Sequence, residues 1–184
     1  MGNFPLESPL PLTLLLVAGG LAAWANGLFF LGVGAQPAEG GAHPVKTVGA
    51  ISLIAGIVMF VNVAYMIFSV GGNGVAVAAL ATLYALFFTA LGASQLGGFD
   101  LKPIANICLP IAVGSLFFIE KFFHGDLLFQ TIMIVWTVAF VAISATVYGK
   151  LEARILGWIL VVTAVWTFFV PAIRISMGLN FLTY

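Results

Sequence analysis

The chain has 184 residues, 62% of them hydrophobic and 7% charged, and a formal net charge of zero. That composition excludes an ordinary soluble domain. The balanced charge gives no footing for nucleic-acid binding or for electrostatic docking on lipid headgroups.

Residues 1–9 carry no Lys or Arg, and no clear small-residue cleavage site follows. Pro5–Pro11 therefore predicts a stiff lead-in to a first helix rather than a secretory signal. Spans are expected at about 10–34, 47–70, 75–96, 103–119, 127–148 and 155–176, and up to Ile173 none of them contains an Asp, Glu, Lys, Arg or His. Nearly all can cross a hydrocarbon core of about 30 Å, which takes about 20 helical residues. With no water for the backbone there, each must be a helix. The expectation is an all-α integral membrane protein, one domain over residues 1–184 with six transmembrane helices and no soluble module. Gly71–Gly74 reads as a tight turn between the second and third spans.

Lys46, Lys102, Lys150 and Arg154 lie in or beside loops 1–2, 3–4 and 5–6, against Lys121 and Arg174 on the other side. The positive-inside bias puts both termini outside the cytoplasm. Proton relays and ion pathways keep ionisable groups at membrane depth; the spans keep none, so a neutral cargo is expected. Cys108 has no partner for a disulfide and reads as packing. His43 and His124 fall on opposite sides of the membrane and cannot share a metal. No nucleophile–base pair, phosphate-binding glycine loop or metal cluster is visible, so neither an enzyme nor a cofactor is expected.

An internal repeat runs through the chain. Lys46, Lys102 and Arg154 each open an even-numbered span, followed by a small residue (Gly49, Ala105, Gly157) and an isoleucine (Ile51, Ile107, Ile159). Counted back from the last two anchors, the odd-numbered spans carry Tyr84/Phe88 and Trp136/Phe140; a first loop two residues longer gives Asn26/Phe30 the same places. Pairs at i,i+4 share one helix face. Three helical hairpins of this kind can enclose a path along the bilayer normal, as parallel repeats do.

Asn26 and Asn62 are the conspicuous polar residues inside the spans. A buried amide is either interhelical glue or a neutral donor and acceptor lining a pore. The aromatic pairs are either core filling or planes that accept a flat solute and strip its water without offering a charge. In the second case Asn26, Thr163 and the Tyr84 phenol would replace the solute's lost hydrogen bonds. Trp158 and Trp166 on the sixth helix could also face inward, with Trp158 alternatively an interfacial anchor. The small pairs Gly19/Ala23 and Ala78/Thr82 suit close helix packing. Asn106, near a helix end, is a cap or a mouth residue.

In Ala25-Asn26-Gly27, Val61-Asn62-Val63, Leu83-Tyr84 with Phe88, Gly98-Phe99-Asp100-Leu101-Lys102-Pro103, and Trp158 with Val170-Pro171-Ala172, the chain resembles the AmiS/UreI family of bacterial urea and short-chain amide channels. The resemblance implies six-helix protomers of three hairpins, each with its own pore, assembled as a homohexamer ring in the bacterial inner membrane. It implies urea or an amide such as acetamide as permeant, used by a cytoplasmic urease or amidase. It also implies a selectivity region of aromatics on the third and fifth helices, here Tyr84, Phe88, Trp136 and Phe140. Together with Asn26, Phe30, Asn62, Thr163 and Trp166 these are the expected pore-lining residues. Two departures stand out: Thr163 occupies the place of a pore glutamate in an acid-gated member, and that member's long titratable loop between spans two and three is here only Gly71–Gly74. A channel that is not acid-gated follows. The rival reading is a non-conducting structural subunit of a larger membrane complex, whose aromatics are ordinary core.

Overall fold

The computed structural model describes residues 10–70, 73–122 and 127–177. Residues 1–9, Gly71, Gly72, His124 and Asp126 lie outside the described residues, as do the side chains of Glu120 and Lys121. The described chain is α1 (Leu10–Phe30), α2 (Val45–Tyr65) running into a π-helical turn (Met66–Val70), α3 (Asn73–Gly97), α4 (Lys102–Phe122), α5 (Leu127–Val147), and α6 (Ala153–Thr163). A π-helical stretch (Ala164–Phe169) joins α6 to α7 (Val170–Ser176) in one continuous rod. Six of these rods are long and apolar enough to cross a membrane.

The first span stops at Phe30 rather than near Gly34, because the chain turns through left-handed glycines at Gly32 (φ 87°) and Gly34 (φ 65°). That turn recurs. Gly32, Gly98 and Gly149 all have positive φ, and in each case the next N–H reaches the carbonyl five residues back: Val33 to Leu28, Phe99 to Ser94, Lys150 to Ala145. This glycine-closed helix end needs a residue without a Cβ, and it marks the end of α1, α3 and α5 alike. The three hairpins are thus repeated in backbone as well as in sequence.

The shared ending also corrects the register of the first repeat. Gly32 precedes Lys46 by fourteen residues, whereas Gly98 precedes Lys102 by four and Gly149 precedes Arg154 by five. The first loop is longer than the other two by ten and nine residues (14 against 4 and 5) rather than by two. Ala18 and Gly19, not Asn26, therefore stand level with Tyr84 and Trp136.

The helices pack in chain order into a ring, each against the next, with α6 and α7 closing onto α1. Its most extensive seams are α2 with α3, α4 with α5, and the sixth rod with α1. Glycines set two of them: a Cβ at Gly49 would meet Gln95 Cβ at 2.8 Å and the Gly92 carbonyl at 3.0 Å, and one at Gly157 would meet the Gly27 carbonyl at 3.0 Å. Ala105, the matching small residue of α4, is fully buried. Small residues let helix backbones approach, which drives association where lipid removes the hydrophobic effect between helices.

The π-helical stretch has a local cause. Pro171 has no N–H to close an α-turn onto the Thr167 carbonyl, and the ladder before it loosens to the wider i→i+5 spacing. Cys108 is buried and free, its thiol directed at the Ile104 carbonyl of its own helix at 3.2 Å.

Candidate functional site

Between the helices lies a cavity of about 430 Å³. Its wall includes Asp100, Leu101 and Lys102 at the α3–α4 connection and Val147 and Leu156 beside the α5–α6 connection. It reaches inward to Tyr84, Trp136 and Phe168, at the middle of α3, of α5 and of the sixth rod. The cavity therefore fills one half of the bundle and ends at aromatic rings.

Those rings form a closed circuit. Tyr84 meets Trp136 edge-on at 4.1 Å between centroids and stacks on Phe140 at 5.6 Å. Phe140 meets Phe87 at 4.8 Å, Phe87 meets Phe88 at 5.3 Å, Phe88 meets Phe168 at 6.5 Å, and Phe168 returns to Trp136 at 5.2 Å. Tilted and edge-to-face pairs at these separations are favoured by the ring quadrupoles. All six residues are at least nine-tenths buried, and all six line the cavity.

The polar atoms of the circuit are turned into the protein. Ser115 donates to the Ile111 carbonyl at 2.9 Å, so the Tyr84 hydroxyl donates to Ser115 Oγ at 2.6 Å. Trp136 Nε1 donates to Thr167 Oγ1 at 2.6 Å, and Thr167 in turn to the Thr163 carbonyl at 2.7 Å. Thr163 Oγ1 donates to the Ile159 carbonyl at 2.7 Å. The protons of the Tyr84 phenol and the Thr163 hydroxyl, two of the groups expected to replace a solute's lost hydrogen bonds, are both engaged within the protein, which leaves their oxygens as acceptors only. What the circuit offers the lumen is ring faces and edges.

Seven of the nine expected residues line the cavity: Asn26, Phe30, Tyr84, Phe88, Trp136, Phe140 and Thr163. Asn26 and Phe30 do so on the mouth side rather than level with the rings, as the register of α1 requires. Asn62 and Trp166 stand elsewhere. Asn62 is buried and donates to the Val58 carbonyl of its own helix at 3.0 Å. Trp166, 38% exposed, donates to Thr131 at 3.1 Å, and Trp158 is 58% exposed. Trp158 lies outward on the regular part of α6, and Trp166 lies outward because the π-helical spacing brings Phe168, five residues after Thr163, onto the inward face instead. Asn106 is exposed and accepts from the Tyr148 hydroxyl at 2.6 Å.

Sequence reasoning missed Phe87, Phe168 and Gln95. Phe87 was hidden beside Phe88, and Phe168 by an α-helical count through a π-helical stretch. Gln95 had a signal, being an uncharged polar residue inside an apolar span. It donates from Nε2 to Asn26 Oδ1 at 2.8 Å, while Asn26 Nδ2 donates to the Ala22 carbonyl and Ser52 Oγ, each at 2.8 Å. Among the described residues no group of three His, Cys, Asp or Glu could hold a metal ion.

Two solved structures share this fold, both of the urea channel of Helicobacter pylori. A cryo-electron-microscopy structure of its closed state is 16% identical over 90% of this chain and 97% of that one, with a TM-score of 0.76. A crystal structure is 15% identical over 91% and 98%, with a TM-score of 0.74. No curated protein matches the sequence. The model of the AmiS/UreI family transporters matches residues 11–179, nearly the whole chain. The chain is a multi-pass membrane protein and belongs to the AmiS/UreI family of transporters.

Proposed function

We propose that this protein is a passive channel for urea and other small neutral amides such as acetamide. The observation that carries the reading is the closed circuit of six rings at the inner end of the cavity, with its hydroxyl and indole N–H groups bonded away from the lumen. A flat uncharged amide passes between ring faces at a modest loss of hydration. An ion would lose its water with no charge in return, which costs many kcal/mol. Flow follows the gradient, since the described spans hold no ionisable side chain on the cavity wall between the mouth residues and the rings except the bonded Tyr84.

The basic residues at loops 1–2, 3–4 and 5–6 orient the cavity mouth toward the cytoplasm and both termini outward, in the bacterial inner membrane. A cytoplasmic urease or amidase would consume the permeant. The apolar outer faces, with Phe68, Val113 and Phe117 among the most exposed side chains, suit lipid and neighbouring protomers of a homohexamer ring. A purified particle of about six protomers is expected by light scattering, and a lone protomer would count against the ring.

The test is stopped-flow uptake of urea and acetamide into proteoliposomes at neutral pH. Uptake well above that of empty vesicles, without ion leak, is expected. Uptake no faster than in empty vesicles, from folded protein, would return the chain to the rival reading of a non-conducting subunit. Flux is further expected to agree within about a factor of two between pH 7 and pH 5, because histidine is the switch for that range and none lines the cavity. A severalfold rise in acid would contradict this.

A further inference from the structure

The aromatic circuit closes although one of the three odd-numbered helices gives it no ring. At the level where α3 places Tyr84 and α5 places Trp136, α1 has Ala18 and Gly19. The missing ring comes from the sixth rod. Phe168, on the π-helical stretch, closes the circuit between Trp136 at 5.2 Å and Phe88 at 6.5 Å.

The room for that ring lies at Gly19, which is buried. A Cβ there would meet Phe168 Cε1 at 2.5 Å and Cδ1 at 3.0 Å, and Met59 Cε at 2.5 Å. Carbon atoms pack at about 3.5–4.0 Å, so the edge of the Phe168 ring rests on the bare backbone of α1. Met59 is unbranched and its tip can turn aside; the ring is stiff. Its backbone is also tied, because the adjacent Thr167 accepts from Trp136 Nε1 at 2.6 Å. A ring pushed off α1 therefore moves in among its circuit neighbours Trp136 and Phe88, at the inner end of the cavity.

The next residue of α1 supplies the comparison. A Cβ on Gly20 would meet the Phe169 ring, with Cε1 at 2.6 Å and Cδ1 at 2.9 Å, and would touch Phe168 only at its Cβ, 3.0 Å away. Phe169 is half-buried, lies against Trp24 at 6.5 Å and is not part of the cavity wall. Two adjacent glycines thus seat two adjacent rings, and of the two rings only Phe168 lines the cavity.

We propose that Gly19 is a positioning residue for conduction: by leaving the Phe168 ring its seat against α1, it sets the bore of the aromatic constriction. Selectivity in a narrow pore follows its diameter, so α1 acts on permeant size at this level without presenting a side chain to the permeant. The inference rests on the amide-channel reading above.

The experiment compares urea and water fluxes through proteoliposomes of wild type, Gly19→Ala, Gly20→Ala, Phe168→Leu and the double variant Gly19→Ala/Phe168→Leu, with the melting temperature of each in detergent. Both glycine variants overpack the same seam and should melt below wild type by similar amounts. Gly19→Ala should lower urea flux at least about threefold with water flux within about twofold, because a narrowed bore rejects the larger solute first. Gly20→Ala should keep urea flux within about twofold of wild type, since the ring it displaces lies off the path. In the double variant the smaller leucine frees the seat, and urea flux should match that of Phe168→Leu alone. Equal urea losses in the two glycine variants, wild-type urea flux in a folded Gly19→Ala, or a loss shared equally by urea and water would overturn the proposal. So would a double variant conducting severalfold less urea than Phe168→Leu. Should Gly19→Ala alone elute as aggregate, the double variant decides by the same comparison, and aggregation there too would mean that the clash is not with Phe168. Wild type no faster than empty vesicles would overturn the channel reading itself, so the two failures are told apart.

Discussion

Trp136→Ala should lower the ratio of urea to glycerol flux by at least about tenfold, a change of only about 1.4 kcal/mol in relative barriers. Trp136 is the link between Tyr84 at 4.1 Å and Phe168 at 5.2 Å. Its removal opens the circuit at one place and leaves a gap the size of an indole, through which a bulkier, non-planar solute can pass. Trp158→Ala should leave the same ratio within about twofold, because that indole is 58% exposed and faces away from the lumen. Loss of a buried indole also costs stability, about 3–5 kcal/mol for Trp→Ala in a core. Trp136→Phe separates the two effects. It keeps a ring in the circuit and loses only the N–H donated to Thr167, whose own proton stays on the Thr163 carbonyl. Selectivity in that variant should remain near wild type. Equal effects from Trp136→Ala and Trp158→Ala would mean that the rings are only packing.

Much of this architecture was legible because lipid leaves the backbone few choices. Charge-free stretches gave the six helices, and the anchors Lys46, Lys102 and Arg154 do fall at the first turns of α2, α4 and α6. The i,i+4 pairs Tyr84/Phe88 and Trp136/Phe140 could be read because α3 and α5 are regular there, so that spacing alone puts both rings on one face. Three things escaped that count. The long first loop moved Asn26 and Phe30 toward the mouth, and only the glycine-closed helix ends reveal the shift. The π-helical stretch before Pro171 rotated Phe168 inward and Trp166 outward. And the direction of each hydroxyl and indole proton depends on which neighbouring helix supplies an acceptor, a fact of packing that no single segment carries.

The same packing makes Gly92→Ala the most damaging small substitution to test. A Cβ on Gly92 would fall against the Leu53 backbone nitrogen, with the Gly49 carbonyl at 2.6 Å and Leu53 Cα at 2.7 Å. None of these is the end of a flexible side chain, so the only relief is for α2 and α3 to move apart along their whole seam. That separation would also loosen Gly56 from Thr89 and Gly49 from Gln95, which meet across the same interface. Overpacking of this kind costs about 1–3 kcal/mol and sometimes more. The contrast is Gly114→Ala on α4, where the added Cβ meets only Leu83 Cδ1 at 3.3 Å, an atom that can yield. Removing a helix-interior glycine is there worth up to about 1 kcal/mol of propensity. In detergent, Gly92→Ala should melt well below wild type or elute as aggregate, while Gly114→Ala should match wild type or exceed it. Because Gln95 rides on the same seam and lines the cavity, a Gly92→Ala protein that still folds should also lose urea flux, and wild-type flux from a protein that melts well below wild type would show that α2 and α3 do not hold the cavity wall in place.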